Sequence, residues 1–186
     1  MFKIEKDLSS FSEKCAILEA FDIGRIYGWP AIFQYKTVVG PSSIDVLRHV
    51  NNREYLRWME KAAMDHAESL GCGARECLRR QEVWVAREHW IEFLMPCYLD
   101  DELMVYTWVD SIGNSRSLRR YAIKRGEDLV SVGATEWVYI DFKTGRPKVL
   151  PEDVHNRFEV VPLTDSRLVA LGVTRGVRFQ PHCRHD

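Results

Sequence analysis

Apolar side chains recur at three- and four-residue steps through Tyr55, Trp58, Met59, Ala62, Ala63, His66 and Leu70, while Arg53, Arg57, Lys61, Asp65 and Glu68 fall on the other side. That spacing predicts an amphipathic helix of about five turns. Asn51, with Glu54 three residues on, makes a capping-box-like start, and Gly71 and Gly73 mark the stop. The run Trp58, Met59, Ala62, Ala63, Met64 is apolar over so much of the helix circumference that near-complete burial is expected.

The flanking sequence predicts a sheet to bury it. Ala31 to Val39 is rich in β-branched and aromatic residues and ends at Gly40-Pro41. After the helix come four strand-like runs: Val83 to Met95, Glu102 to Ser111, Ser117 to Lys124 and Leu129 to Phe142. They are separated by turn-forming stretches at Pro96 to Asp101, Gly113-Asn114 and Arg125 to Asp128. The last run alternates, with Val130, Val132, Ala134, Val138, Ile140 and Phe142 on one face and Glu136 interrupting it. Strand, long helix, then a four-strand meander is an α+β order, with one helix packed on an antiparallel sheet. A sheet wrapped around one central helix is the hotdog fold, although periodicity alone does not separate it from other α+β folds.

Composition limits the function classes. The 186 residues, 46% of them hydrophobic, suffice for one core, and no repeat or linker divides them. A single domain over 1–186 is expected, with 1–30 a peripheral N-terminal segment and 159–186 a C-terminal extension. A short helix is predicted within residues 9–20. With 26 Lys and Arg against 27 Asp and Glu, there is no global charge to attract nucleic acid or an anionic membrane. No apolar run approaches the ~20 residues of a membrane span. Five scattered cysteines, and a first stretch too charged for a signal peptide, point to a reducing cytoplasm. Cys72 and Cys77 are too far apart for a CxxC pair, and His182-Cys183-Arg184-His185 has metal-ligand residue types but no second ligand cluster. Neither metal nor cofactor is expected.

The block from Ser43 to Glu60, SIDVLRHVNNREYLRWME, resembles the signature of the 4-hydroxybenzoyl-CoA thioesterase-like and acyl-ACP thioesterase families. In those families a strand leads to an Asp, a short turn, often His-Val-Asn-Asn, and a Tyr on the buried helix. The likeness extends through Ile91 to Pro96, the turn at Asp100 to Leu103, and Asp141 to Pro147, spanning roughly residues 31–158. It implies a hotdog fold and a cofactor-free thioesterase acting on an acyl-CoA or an acyl-ACP, built as a homodimer or homotetramer. It also implies that Asp45 is the catalytic carboxylate, that the backbone N–H of Asn52, or of a neighbour, meets the thioester carbonyl, and that His49 is the His of the motif. Ser43 stands where many relatives carry a first Asp, Arg48 replaces a Gly or Gln, and Leu47 replaces the polar Asn of the plant enzymes.

Thioester hydrolysis needs an activated oxygen nucleophile and donors for the developing oxyanion, and a carboxylate beside a helix N-terminus supplies both. Asp45 serves either as nucleophile or as general base. Asn51 is read as the helix cap, and Tyr55 and Trp58 as core residues with one edge toward the acyl group. Arg116, Arg119, Arg120 and Lys124, the densest basic cluster, are candidates for the CoA phosphates, although such a run is more often a solvated sheet face. A GxSxG elbow, HExxH, Walker loop and GxGxxG are all missing. The rival functions are a non-catalytic acyl-CoA-binding hotdog and a hotdog dehydratase.

Overall fold

In the computed structural model, residues 30–177 are described; the expected helix within 9–20 and the tail at 182–185 lie outside them. The unit that begins at Ala31 contains five strands: β1 (Ile32–Val38), β2 (Glu82–Phe93), β3 (Glu102–Ile112), β4 (Arg116–Arg125) and β5 (Asp128–Asp141). They form one antiparallel sheet in the order β1-β3-β4-β5-β2, leaving β1 and β2 at its edges. The long helix, α1 (Asn52–Ser69), follows β1, and the described residues also form three short α-helices: α2 (Ala74–Arg80), α3 (Glu152–His155) and α4 (Ser166–Leu171). None of the helices among the described residues is long and apolar enough to cross a membrane.

Helix α1 buries Tyr55, Trp58, Met59, Ala62, Ala63 and His66, the face that the three- and four-residue spacing predicts. Against it lie Leu103, Val105, Tyr121 and Ile123 from the sheet. The helix lies close over Gly133, where a Cβ would come within 2.6 Å of the Met59 sulfur. At that position a side chain on the sheet would displace the end of the Met59 side chain.

The far face of the sheet is also covered. Residues 160–177 lay Val161, Leu168 and Val173 over Tyr106, Trp108 and Ala122, and Val177 over Leu118, Val132 and Ala134. This corrects the grouping of β5: Val132 and Ala134 pack on this far side, whereas Val130, read on the same face, packs in the α1 cluster beyond a register irregularity opposite Ile123 and Lys124, and Gly133 points toward α1. A strand with both faces buried loses the polar alternation that would reveal its inward side. Glu136 is accommodated on the outer face by Arg116 at 3.2 Å and Arg87 at 3.4 Å.

Helix α2 was not anticipated. Glu76 binds both Arg79 and Arg80, and Gln81, at φ 55°, ends the helix in the left-handed region.

Candidate functional site

The segment between β1 and α1 is a closed loop. Ile44 and Val50 form a one-residue antiparallel bridge, the Asn51 N–H donates to the Ser43 carbonyl at 2.9 Å, and the Val50 N–H donates to the Cys97 carbonyl at 2.8 Å. Within it the Asp45 N–H donates to the His49 carbonyl at 2.9 Å and the Arg48 N–H to the Asp45 carbonyl at 3.0 Å. The turn requires Arg48 to adopt φ 64°, left-handed backbone that glycine takes without strain. The resemblance puts a Gly or Gln at this position.

The Asp45 carboxylate is fixed at one oxygen and available at the other. Its Oδ1 accepts from the Leu47 N–H at 2.8 Å, and Oδ2 lies 3.7 Å from His49 Nδ1. The side chain keeps 22% of its surface exposed, so water or substrate can reach it. Asn51 caps α1 by accepting the Arg53 N–H at 3.1 Å on its side chain, and its carbonyl accepts the Glu54 N–H at 2.9 Å. The Asn52 N–H donates to none of the described residues' acceptors. It is left at the positive end of an 18-residue helix, where a developing anion is stabilised.

Glu54 departs from the expected capping box. Its carboxylate is buried and accepts from Ser43 Oγ at 3.1 Å and from Arg57 Nη2 at 2.7 Å, while the Asn51 N–H it was expected to bind is taken by Ser43. Glu54 therefore ties the β1 side of the loop to the first turn of α1. A charged residue on the inward side of the helix pattern was its only sequence signal.

The other candidates for substrate contact differ in where the fold puts them. Tyr55 and Trp58 are core residues, 2% and 3% exposed. Tyr55 meets the rings of Trp58 and Phe93 edge-on at 5.5 and 5.1 Å. Burial, with a hydrogen bond to Cys97, raises its hydroxyl well above the usual range. The basic cluster is split by the period of the strand. Arg116 and Arg120 point to the outer face, paired with Glu136 at 3.2 Å and Asp110 at 3.0 Å. Arg119 points inward, 5% exposed, bound to His66 Nδ1 at 2.8 Å. Lys124 is buried against the Leu171 carbonyl. No common phosphate-binding surface results. Among the described residues no three His, Cys, Asp or Glu side chains converge as a metal site.

A family model of the thioesterase-like superfamily matches residues 39–158, from the end of β1 through all of this loop, α1 and the meander. The chain belongs to the thioesterase-like superfamily. No curated protein matches it in sequence. Solved structures with the same fold include the 1,4-dihydroxy-2-naphthoyl-CoA thioesterase Slr0204 of Synechocystis, 19% identical over 68% of this chain and 94% of that one, with a TM-score of 0.63. The DHNA-CoA thioesterase of Staphylococcus aureus is 20% identical, covering 76% of this chain and 93% of its own, with a TM-score of 0.64. The Staphylococcus aureus protein SAV2348, solved in complex with CoA, is 15% identical over 81% of this chain and 90% of that one, with a TM-score of 0.65. These likenesses establish the hotdog fold. Within this thioesterase-like chain the matched region ends at Phe158, so the outer layer from 160 to 177 lies beyond it.

Proposed function

We propose that this protein hydrolyses an acyl-CoA thioester at the Asp45 loop. The observation that carries the reading is the pairing, on one closed loop, of a partly exposed carboxylate with a helix N-terminal N–H that has no acceptor among the described residues. As general base, Asp45 takes a proton from water, the hydroxide adds to the thioester carbonyl, and the oxyanion is held by the Asn52 N–H. Collapse breaks the carbon–sulfur bond, and the thiolate leaves as CoA after taking the proton back. As nucleophile, Asp45 would instead form a mixed anhydride that water then opens. His49, 3.7 Å from Asp45, orients the carboxylate in either route. The exposed guanidinium groups of Arg48 and Arg53 border the loop and suit the carrier's phosphates.

The site is completed, in this reading, by a second copy of the chain. Val46 and Leu47 are 96% and 69% exposed, and Phe93, Tyr98 and Leu99 are exposed near the same end of the molecule. The outer edge of β2 also has no strand partner among the described residues. A homodimer or homotetramer covers both. The free thiols of Cys72, Cys77 and Cys97 suit a reducing compartment such as the cytoplasm.

The test is a panel of acyl-CoA and acyl-ACP substrates assayed for release of free thiol, with light scattering on the same preparation. Turnover of acyl-CoA by an oligomer supports the reading. Absence of thiol release from every substrate would leave a binding protein, and a monomer at micromolar concentration would remove the shared-site element.

A further inference from the structure

A cavity of about 510 Å³ lies at the other end of α1, between its C-terminal half, α2 and the sheet. It falls within the ~300–1,000 Å³ range of small-molecule sites. Its wall is largely apolar, with Ala67, Trp84, Val109, Ile112 and Phe158 inside, and the exposed side chains of Met64, Leu78 and Phe142 place its opening at the surface. The lining begins at Ala63, twelve residues beyond the Asn51 cap, which at ~1.5 Å per residue puts it about 18 Å or more along the helix from the Asp45 loop. It is a separate site.

One of its walls is charged. Arg119 lines the cavity with its side chain buried. Its partners are the neutral acceptors His66 Nδ1 at 2.8 Å and Thr107 Oγ1 at 3.3 Å, both at the same nitrogen, with the Phe158 ring 5.9 Å away. Because a guanidinium only donates, His66 accepts at Nδ1 and carries no charge to offset it. No carboxylate among the described residues pairs with Arg119. The acidic groups that also line the cavity are engaged elsewhere: Asp65 with Lys61, Glu82 with Lys148, and Glu68 folded over Gly73. A desolvated cation without a counter-ion is costly, and an anion brought in by a ligand relieves that cost.

We propose that this cavity binds an apolar monocarboxylic acid, with the carboxylate on Arg119 and the hydrocarbon body along Trp84, Val109 and Phe158. The ligand has the chemistry of the acid released by thioester cleavage, and it occupies a site remote from Asp45. Binding there is therefore independent of turnover.

Calorimetric titration with decanoate and with decanol, which shares the tail and lacks the charge, tests it. Wild type is expected to bind one decanoate per chain and to bind decanol roughly tenfold more weakly or less, the scale of one charge-assisted contact. Arg119→Met should remove the preference for decanoate, and Ala67→Phe, which fills the cavity, should abolish binding of both. Asp45→Asn should bind decanoate like wild type even though its turnover is lost. The proposal is overturned if wild type shows no saturable decanoate binding, if folded Arg119→Met keeps the preference, or if Asp45→Asn loses it. Should Arg119→Met fail to fold, undiminished decanoate binding by Ala67→Phe would overturn it and loss of binding would support it.

Discussion

The Asn51 N–H donates to the Ser43 carbonyl at 2.9 Å, so the loop that carries Asp45 starts and finishes at the first turn of α1. Asp45 is thus held by local backbone bonds rather than by the core. Asp45→Asn keeps the acceptor for the Leu47 N–H and removes the charge. Turnover should fall by at least ~10²-fold, with the melting temperature nearly unchanged. Steady-state kinetics beside thermal unfolding of the same sample checks it, and near-normal turnover in a folded variant would end the assignment.

Arg48 is held at φ 64°. Left-handed backbone costs an L-residue about 1–2 kcal/mol, of which the greater unfolded-state freedom of glycine offsets about 0.5–1. Arg48→Gly should therefore stabilise the protein by roughly 0.5–1 kcal/mol, measured by urea unfolding. A loss of stability instead would show that the arginine side chain makes a contact worth more than the strain.

At Gly133 the Cβ of an alanine would stand 2.6 Å from Met59 Sδ and 3.2 Å from the Trp90 carbonyl oxygen. Met59 can swing away, but the strand backbone cannot. Gly133→Ala should destabilise by about 1–3 kcal/mol, the range for overpacking a filled core. Denaturant midpoints for this variant and for Gly133→Ala with Met59→Leu will report how much of the cost is the sulfur contact.

Glu82 titrates under opposed influences. Burial pushes its carboxyl up, but the hydrogen bonds from Lys148 and Tyr139 outweigh that and leave it below its ordinary value of 4.5. A folded-state value below the unfolded one gives stability that is present above the unfolded value and lost as pH falls. Stability should therefore decline on acidification below about pH 5. Glu82→Gln should be less stable than wild type at neutral pH and show a shallower decline. Melting temperatures across the acid range distinguish this from a parallel loss at every pH.

The fold was legible wherever a residue's environment is set by its near neighbours in sequence. The Asn51 cap, the buried face of α1 and the spacing of five strands follow from local pattern, and β1 at Ile32–Val38 lies within the predicted Ala31–Val39. What escaped depends on partners far along the chain. Arg119 is bound by His66, 53 residues away, and Glu54 by Ser43, 11 away across a turn. A cluster of arginines on one strand looks like a surface until the alternation sends its members to opposite faces. The inward side of β5 was hidden because residues 160–177, with no strong pattern of their own, bury its outer side. Asp45 and Asn52 were named through resemblance, and the loop bonds and the helix N-terminus give that naming a physical form.

Those last residues also bear on how copies of this chain can assemble. A bare sheet offers two routes to a neighbour: sideways, by lending an unpaired strand, or flatwise, by laying one pleated surface about 10 Å above another. Here the chain has already laid its own C-terminal stretch across the second surface, from Ala31 and Ile32 beside one edge to Trp90 near the other. Layering sheet upon sheet is closed to it, and growth of the assembly is steered to the rims and to the end of the molecule where Val46 and Leu47 stand bare.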